Sequence, residues 1–186
     1  MNSDMDDDTL MIRTAQGEEA AFRFLVLRWE KEVLAFLIHM LGSVEEAEDL
    51  VQDTFIQVYD KAAGYLPQGL FRSWLFRIAG NRARSRLRRR KILRWVRFDT
   101  TVHETPAPED GPLADLERKE AVAGLRRAVA KLPPRQREAL VLHRFQGLKY
   151  KEVAVAMATT VPGVESLMQR AMATLRIELG EEGDLS

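Results

Sequence analysis

FRSWLFRIAGNRARSRLRRRKILRWVRF, residues 71–98, is the stretch on which the reading of this chain turns. Phe71, Trp74, Leu75, Ile78 and Ala79 recur at the three- and four-residue steps of a helix with one buried face. From Arg82 onward the same helix becomes a dense cationic run: Arg82, Arg84, Arg86, Arg88, Arg89, Arg90, Lys91, Arg94 and Arg97. No Asp or Glu lies between Lys61 and Asp99. A solvated helix face ordinarily mixes signs so that i,i+4 pairs form. A one-sign run anchored in a core at one end is instead built to lie against a polyanion. Trp74, Phe76 and Trp95 add rings that stack on unpaired bases, so the expected partner is nucleic acid with a single-stranded part.

Working back from this stretch, Gly64-Tyr65-Leu66-Pro67-Gln68-Gly69 is a loop by its glycines and proline. Before it, Ser43 with Glu46 makes a capping box for a helix running to about Ala63, with Ala47, Val51, Phe55, Val58 and Ala62 on its buried face. Its other face carries Glu45, Glu46, Glu48, Asp49, Gln52 and Asp53. Part of that acidity complements the helix N-terminus; opposite in sign to the basic helix, it also suits a protein partner. Further back, Phe22, Leu25, Trp29, Val33, Phe36 and Met40 mark an amphipathic helix from Glu18 to Leu41, stopped by Gly42. Thr9 to Gln16 reads as a short helix, and residues 1–8 as a frayed acidic lead.

Working forward, residues 99–112 (DTTVHETPAPEDGP) hold three prolines, a glycine and several acids without periodicity, the composition of a linker. Val122, Leu125, Val129 and Leu132 mark the next helix, closed by Pro133-Pro134. A helix over Arg135 to Phe145 follows, then a short one over Tyr150 to Met157, a turn at Ala158-Thr159-Thr160, and a last helix burying Val164, Met168, Ala171 and Leu175. Two helices joined by a tight turn, the second longer, form a helix-turn-helix pattern. The expected fold is all-α: two small helical domains, residues 1–98 and 113–186, joined by a flexible linker.

The totals bound the function. Net charge is zero over 186 residues, yet both ends are acidic and the middle basic. There is no cysteine, so disulfides and thiolate metal sites are excluded. His39, His103 and His143 lie far apart and form no metal-ligand pair. No Gly-rich phosphate loop or nucleophile motif supports an enzyme, and no metal or other cofactor is expected. The acidic N-terminus is no signal peptide, and no run approaches the roughly eighteen apolar residues of a membrane span. A cytoplasmic protein without membrane insertion is expected.

Three stretches carry a family resemblance: AEDLVQDTF (Ala47 to Phe55), FRSWLFRIAGNRARSRLRRR (Phe71 to Arg90), and LPPRQREALVL with GLKYKEVAVAM (Leu132 to Met157). In order and spacing they resemble regions 2.2, 2.3–2.4 and 4 of the extracytoplasmic-function sigma factors of the bacterial sigma-70 family. The resemblance implies that Asp49, Gln52, Asp53 and Phe55 grip core RNA polymerase. It implies that Arg72, Trp74, Asn81, Arg84, Arg86 and Arg88 bind and open the −10 promoter DNA. The loop around Tyr65 is similar to the one that receives a flipped −10 base. The last two helices resemble the −35 reader, and an anti-sigma factor is an expected partner.

The chain departs from the family in its recognition helix. That helix is commonly basic, but here it reads Val164-Glu165-Ser166-Leu167-Met168-Gln169-Arg170-Ala171-Met172. Lys149 stands where a capping Ser is usual, and Ala158 where the turn glycine is usual. Phosphate contacts then fall to Arg135, Arg137, Arg144, Lys149 and Lys151. Glu165, Ser166, Gln169 and Arg170 are candidate −35 contacts, with Glu165 able to accept from a cytosine amino group, so −35 recognition is expected in outline with altered specificity and weak affinity. Two other readings compete: a stand-alone helix-turn-helix regulator, and a sigma-like adaptor whose C-terminal half mainly binds a protein.

Overall fold

The computed structural model describes residues 5–97 and 114–180, and these contain eight α-helices and no strand. The expected linker, residues 99–112, and His103 lie outside the described residues. Helix α1 (Asp7–Ala15) begins earlier than the sequence pattern predicts. Asp6 caps it, accepting from the Thr9 backbone N–H at 2.8 Å. Asp7 bonds Arg28 at 2.7 Å and the Trp29 indole at 3.1 Å. The acids from Asp6 onward are therefore capping and pairing groups, and the frayed lead does not extend to them. Leu10 and Met11 are fully buried, which fixes α1 on its neighbour.

That neighbour, α2 (Glu19–Leu41), supplies Leu25, Val33, Phe36, Leu37 and Met40 to the core and ends at Gly42, whose φ of +70° closes the helix in the left-handed region. Ser43 then starts α3 (Val44–Asp60), its Oγ accepting from the Glu46 N–H at 3.3 Å. The Glu46 carboxylate does not return to complete the expected capping box; it turns to Arg86 and Arg90 of the next helix. After a short 3₁₀ turn at Ala62–Gly64 comes α4 (Phe71–Arg97), one continuous helix. Its Phe71, Leu75, Phe76, Ile78, Ala79 and Ala83 are buried. Phe76 packs edge-on against Phe36 with ring centroids 5.2 Å apart, so it belongs to the core and cannot stack on a base.

The second half contains α5 (Ala114–Lys131), α6 (Pro134–Leu140) running on into a wider π-turn at Val141–Phe145, α7 (Tyr150–Ala156) and α8 (Val161–Glu178). The α8 residues Val164, Met168, Ala171 and Leu175 are buried as their spacing predicts. Val122 and Leu125 of α5, expected in the core, are partly solvent-facing, and α5 buries Ala128 and Val129 near its end instead. Between α7 and α8 the chain turns through Ala158, at a φ of +48°. Thr160 then caps α8, accepting from the Gly163 N–H at 3.2 Å.

The two halves are closed upon one another: α6 and α7 pack on α4, while α5 and the π-turn pack on α2. The contact is largely polar at its points of attachment. Arg137 of α6, only 7% exposed, donates to the Met40 carbonyl at the end of α2 at 2.6 Å, and to the Ala130 and Leu132 carbonyls. Burial lowers its guanidinium pKa to about 10, with Arg90 nearby adding to the effect. Arg84 of α4 pairs with Glu138 of α6, and Arg72 donates to the Gln146 carbonyl. The His39 and Phe145 rings stack with centroids 4.3 Å apart.

Candidate functional site

The acidic face of α3 and the basic face of α4 lie side by side, because α3 buries Ala47, Leu50, Thr54, Phe55 and Val58 against the helices around it. That burial leaves Asp49 and Gln52 exposed and Asp53 half-exposed. Phe55, grouped with them by resemblance, is 5% exposed in the core and does not share their surface. Asp53 leans toward α4 and accepts from Arg82 at 3.1 Å, with Gln57 taking the Arg82 Nε at 3.2 Å.

This pairing recurs along α4. Glu46 of α3 takes Arg90 at 2.6 Å and Arg86 at 3.5 Å, Glu138 of α6 takes Arg84, and Glu32 of α2 takes Arg72 at 3.3 Å. The Arg84 guanidinium also donates to Asn81 Oδ1. Arg88 and Lys91, by contrast, are exposed and form no ion pair with a described residue. Asn81 is exposed on the rim of a groove of about 320 Å³ lined by Leu50, Asp53, Gln57, Arg82, Ser85, Arg86 and Arg89. The structure thus brings Asn81 and Arg86 to one groove with Asp53, turns Arg84 toward α6 on another side of the helix, and leaves Arg88 exposed outside the groove lining.

The loop before α4 is organised by aromatic rings. Tyr65 packs edge-on against Trp74 at 4.9 Å and Phe71 at 6.0 Å. Trp74 is half-buried between them and keeps an exposed part. Leu66, Pro67 and Gln68 at the tip are exposed. Asp8 of α1 also touches this loop, a connection that sequence reasoning missed: one acid in an acidic lead carries no periodic signal.

In the second half, Arg135, Lys149 and Lys151 are exposed. Arg137 is not available with them, since it is buried and its two terminal guanidinium nitrogens donate to carbonyls at the ends of α2 and α5. Lys149 stands at the N-cap of α7 without a capping side chain, and Glu152 takes over, accepting from the Lys149 N–H at 2.7 Å. On α8, Glu165, Gln169 and Arg170 are exposed and Ser166 is half-exposed, with Arg170 donating to Ser166 Oγ at 2.8 Å. The Glu165 carboxylate therefore sits on the outer face of the helix that a helix-turn-helix presents to a DNA groove.

A basic helix flanked by an acidic one, with a helix-turn-helix in the same chain, defines a DNA-binding protein of the transcription machinery. Comparison with known proteins gives the family. Residues 25–92 match the model for sigma-70 region 2 and residues 123–175 that for sigma-70 region 4. The RNA polymerase sigma-H factor of Pseudomonas aeruginosa is 31% identical over 176 residues, 89% of each chain. Two solved structures are similar at 27% identity. CnrH in complex with the cytosolic domain of CnrY has a TM-score of 0.67, over 95% of this chain and 99% of that one. The sigma factor RpoE of Bartonella quintana, in complex with the anti-sigma factor NepR, has a TM-score of 0.68, over 88% and 98%. The chain belongs to the sigma-70 family, among its extracytoplasmic-function sigma factors.

Proposed function

We propose that this chain directs core RNA polymerase to promoters by dividing the work among three surfaces. Asp49, Gln52 and Asp53 of α3 engage the polymerase. Asn81, Trp74 and the loop at Tyr65, with Arg72, Arg84, Arg86 and Arg88, engage and open the −10 DNA. Helices α7 and α8, with Arg135, Lys149 and Lys151 at phosphates and Glu165, Ser166, Gln169 and Arg170 toward bases, engage the −35 DNA. The working units are residues 1–98 and 113–186, with 99–112 as linker. The protein contributes binding energy to melting and carries no catalysis of its own. It acts in the cytoplasm; among the described residues no helix is long and apolar enough to cross a membrane.

The observation that carries this reading is the side-by-side placement of an outward-facing acidic patch on α3 and the cationic face of α4. A stand-alone regulator of duplex DNA has no use for the first and leaves Trp74, half-exposed beside the loop, without a role. Phosphate contacts fix register while Asn81 and the loop select sequence. Melting is offset by capture of unstacked bases on protein surfaces, each step costing about a few kcal/mol.

Closure bears on the mechanism. Arg72 and Arg84 are held by Gln146 and Glu138 of the second half, so full use of α4 on DNA requires α6 and α7 to leave it. The free chain is accordingly a closed form, and polymerase binding separates the halves. An anti-sigma factor, as seen with the similar RpoE, is the expected antagonist here too. A second reading is favoured by one observation, the exposed Glu165 on a helix poor in cations: the C-terminal half mainly binds a protein. Pull-down of core polymerase followed by run-off transcription on a promoter library tests both. Polymerase capture with −10 and −35 dependence supports the first, and capture without −35 dependence the second. Absence of capture overturns both.

A further inference from the structure

The loop at residues 64–70 is closed by a carboxylate from α1, 57 residues before Tyr65. Asp8 Oδ1 accepts from the Tyr65 hydroxyl at 2.5 Å, and Asp8 Oδ2 accepts from the Gly69 N–H at 2.6 Å. One side chain therefore bridges the first and last turns of the loop, leaving Leu66, Pro67 and Gln68 between them as an exposed tip. Gly69, at a φ of +68°, makes the turn that aims its N–H at Asp8, a conformation that favours glycine. The same Tyr65 ring forms the floor of the loop with Trp74 and Phe71. Floor and rim thus share one anchor.

The anchor itself is rigid. Asp8 lies in the first turn of α1, whose start is capped by Asp6 and tied to α2 through Asp7, Arg28 and Trp29. Leu10 and Met11 in the next turn are fully buried. A recognition loop held by two charge-assisted bonds to such an element keeps one tip geometry, which is the condition for discriminating between ligands of similar size. The phenol is pushed well above its usual range by burial first and by the bond to Asp8 second, so it remains a donor at every working pH.

We propose that Asp8 is a positioning residue that sets which −10 bases the tip Leu66-Pro67-Gln68 accepts. It touches no DNA; it acts by fixing Tyr65 and Gly69. The inference rests on the reading of this loop as the receiver of an unstacked −10 base, and the experiment keeps the two apart.

Full-length protein is assembled with core polymerase and transcribes a promoter library randomised at the −10 element, with a second library randomised at −35. Asp8→Ala and Tyr65→Phe are compared with Gln68→Ala, which alters the tip directly. Loss of one charge-assisted bond reduces discrimination between the best and next −10 sequences by about tenfold. The −35 ranking stays unchanged, and Asp8→Glu restores part of the −10 ranking. Combining Asp8→Ala with Tyr65→Phe is no worse than Asp8→Ala alone, since both break one linkage. Uniformly lower transcription from every −10 sequence in Asp8→Ala would mean that Asp8 only supports folding, and the proposal falls. If Gln68→Ala reorders −10 preference while Asp8→Ala and Tyr65→Phe leave it intact, the loop reading stands and the proposal fails. If none of the three variants reorders it, the loop does not read the base, and both are overturned.

Discussion

Gly80→Ala is expected to stabilise α4 and open the molecule at once. Gly80 is buried where α4 meets α6, directly beneath Glu138. A Cβ at this position would collide with Glu138 Oε1 and lie 3.1 Å from the carboxylate carbon. Glu138 has no room to yield, being fully buried and tied through Oε2 to Arg84. Two costs then fall on the closed state alone: overpacking, about 1–3 kcal/mol, and displacement of the carboxylate from Arg84, about 1.5–3 kcal/mol for a charge-assisted bond. The lower end of the sum applies, because Arg84 is 24% exposed and recovers water when released. At about 2.5 kcal/mol, the ratio of closed to open molecules falls roughly sixtyfold.

The opposite effect operates inside α4 in both states. Replacing a mid-helix glycine by alanine gains about 1 kcal/mol of helix stability, or roughly 2–4 °C in melting temperature for a chain of this size. The two readouts therefore move apart, which no general loss of folding would produce. The chain has no cysteine, so Glu48→Cys on α3 and Arg176→Cys on α8 accept a donor–acceptor dye pair without background. Energy transfer should drop in Gly80→Ala while thermal stability of the first half holds or rises. Unchanged transfer with raised stability would refute the reasoning, because the Gly80–Glu138 contact would then not hold the halves together.

Closure should also weaken with rising pH. Burial pushes the Glu138 carboxyl above its ordinary 4.5, opposed by the charge and hydrogen bond of Arg84 and by Arg135. The closed state thus holds the proton more tightly, and its advantage fades as pH climbs from about that ordinary value through the raised one; dye transfer followed against pH should fall in that direction and flatten in Glu138→Gln. Reversing Asp49 and Asp53 together to lysine should abolish polymerase capture with the circular dichroism spectrum retained, since the exposed Asp53–Arg82 pair contributes only about 0–1 kcal/mol. Ala158→Gly should raise the melting temperature, relieving a left-handed strain of about 1–2 kcal/mol less the roughly 0.4–1 kcal/mol entropy cost of glycine. Glu165→Lys should strengthen non-specific DNA binding and steepen its salt dependence by about one counterion.

Helix positions were legible because burial follows periodicity. The residues expected inside α8 are those found there, and Gly42 stops α2 where a left-handed cap is needed. The substitution of Ala158 for a turn glycine was legible as a departure, and its positive φ shows that the turn itself is kept. What the pattern could not show is which partner a polar group chooses. Glu46 has the spacing of a capping residue yet serves Arg86 and Arg90. Arg137 reads as a surface cation beside Arg135, but the groups that bury it are carbonyls at the ends of α2 and α5. Phe76 carries the aromatic character expected at a binding surface and is a core residue, while Phe55 is buried as its spacing indicated, against the polymerase role that the resemblance gave it. Each miss has one origin: the competing site lies on another helix, brought near by closure or by packing that one helix's spacing does not encode.

The same origin changes the meaning of the basic run. Read alone, α4 is a polycation with no acid of its own. In the folded chain Arg72, Arg82, Arg84, Arg86 and Arg90 meet Glu32, Asp53, Glu138 and Glu46 from α2, α3 and α6. DNA phosphates therefore compete with protein carboxylates for these arginines, and each exchange returns a carboxylate to solvent. Such exchanges release fewer counterions than binding by bare cations. On the proposed reading, non-specific affinity should be lower for the closed chain than its arginine count implies, with the exposed Arg88, Arg89 and Lys91 making the first encounter. Opening α6 away from α4 frees Arg84 from Glu138 and leaves Arg82, Arg86 and Arg90 held by α3. Since α3 also carries the face assigned to polymerase, docking there has a direct route to Arg82 through Asp53: any polymerase cation that draws Asp53 outward releases Arg82 toward the promoter.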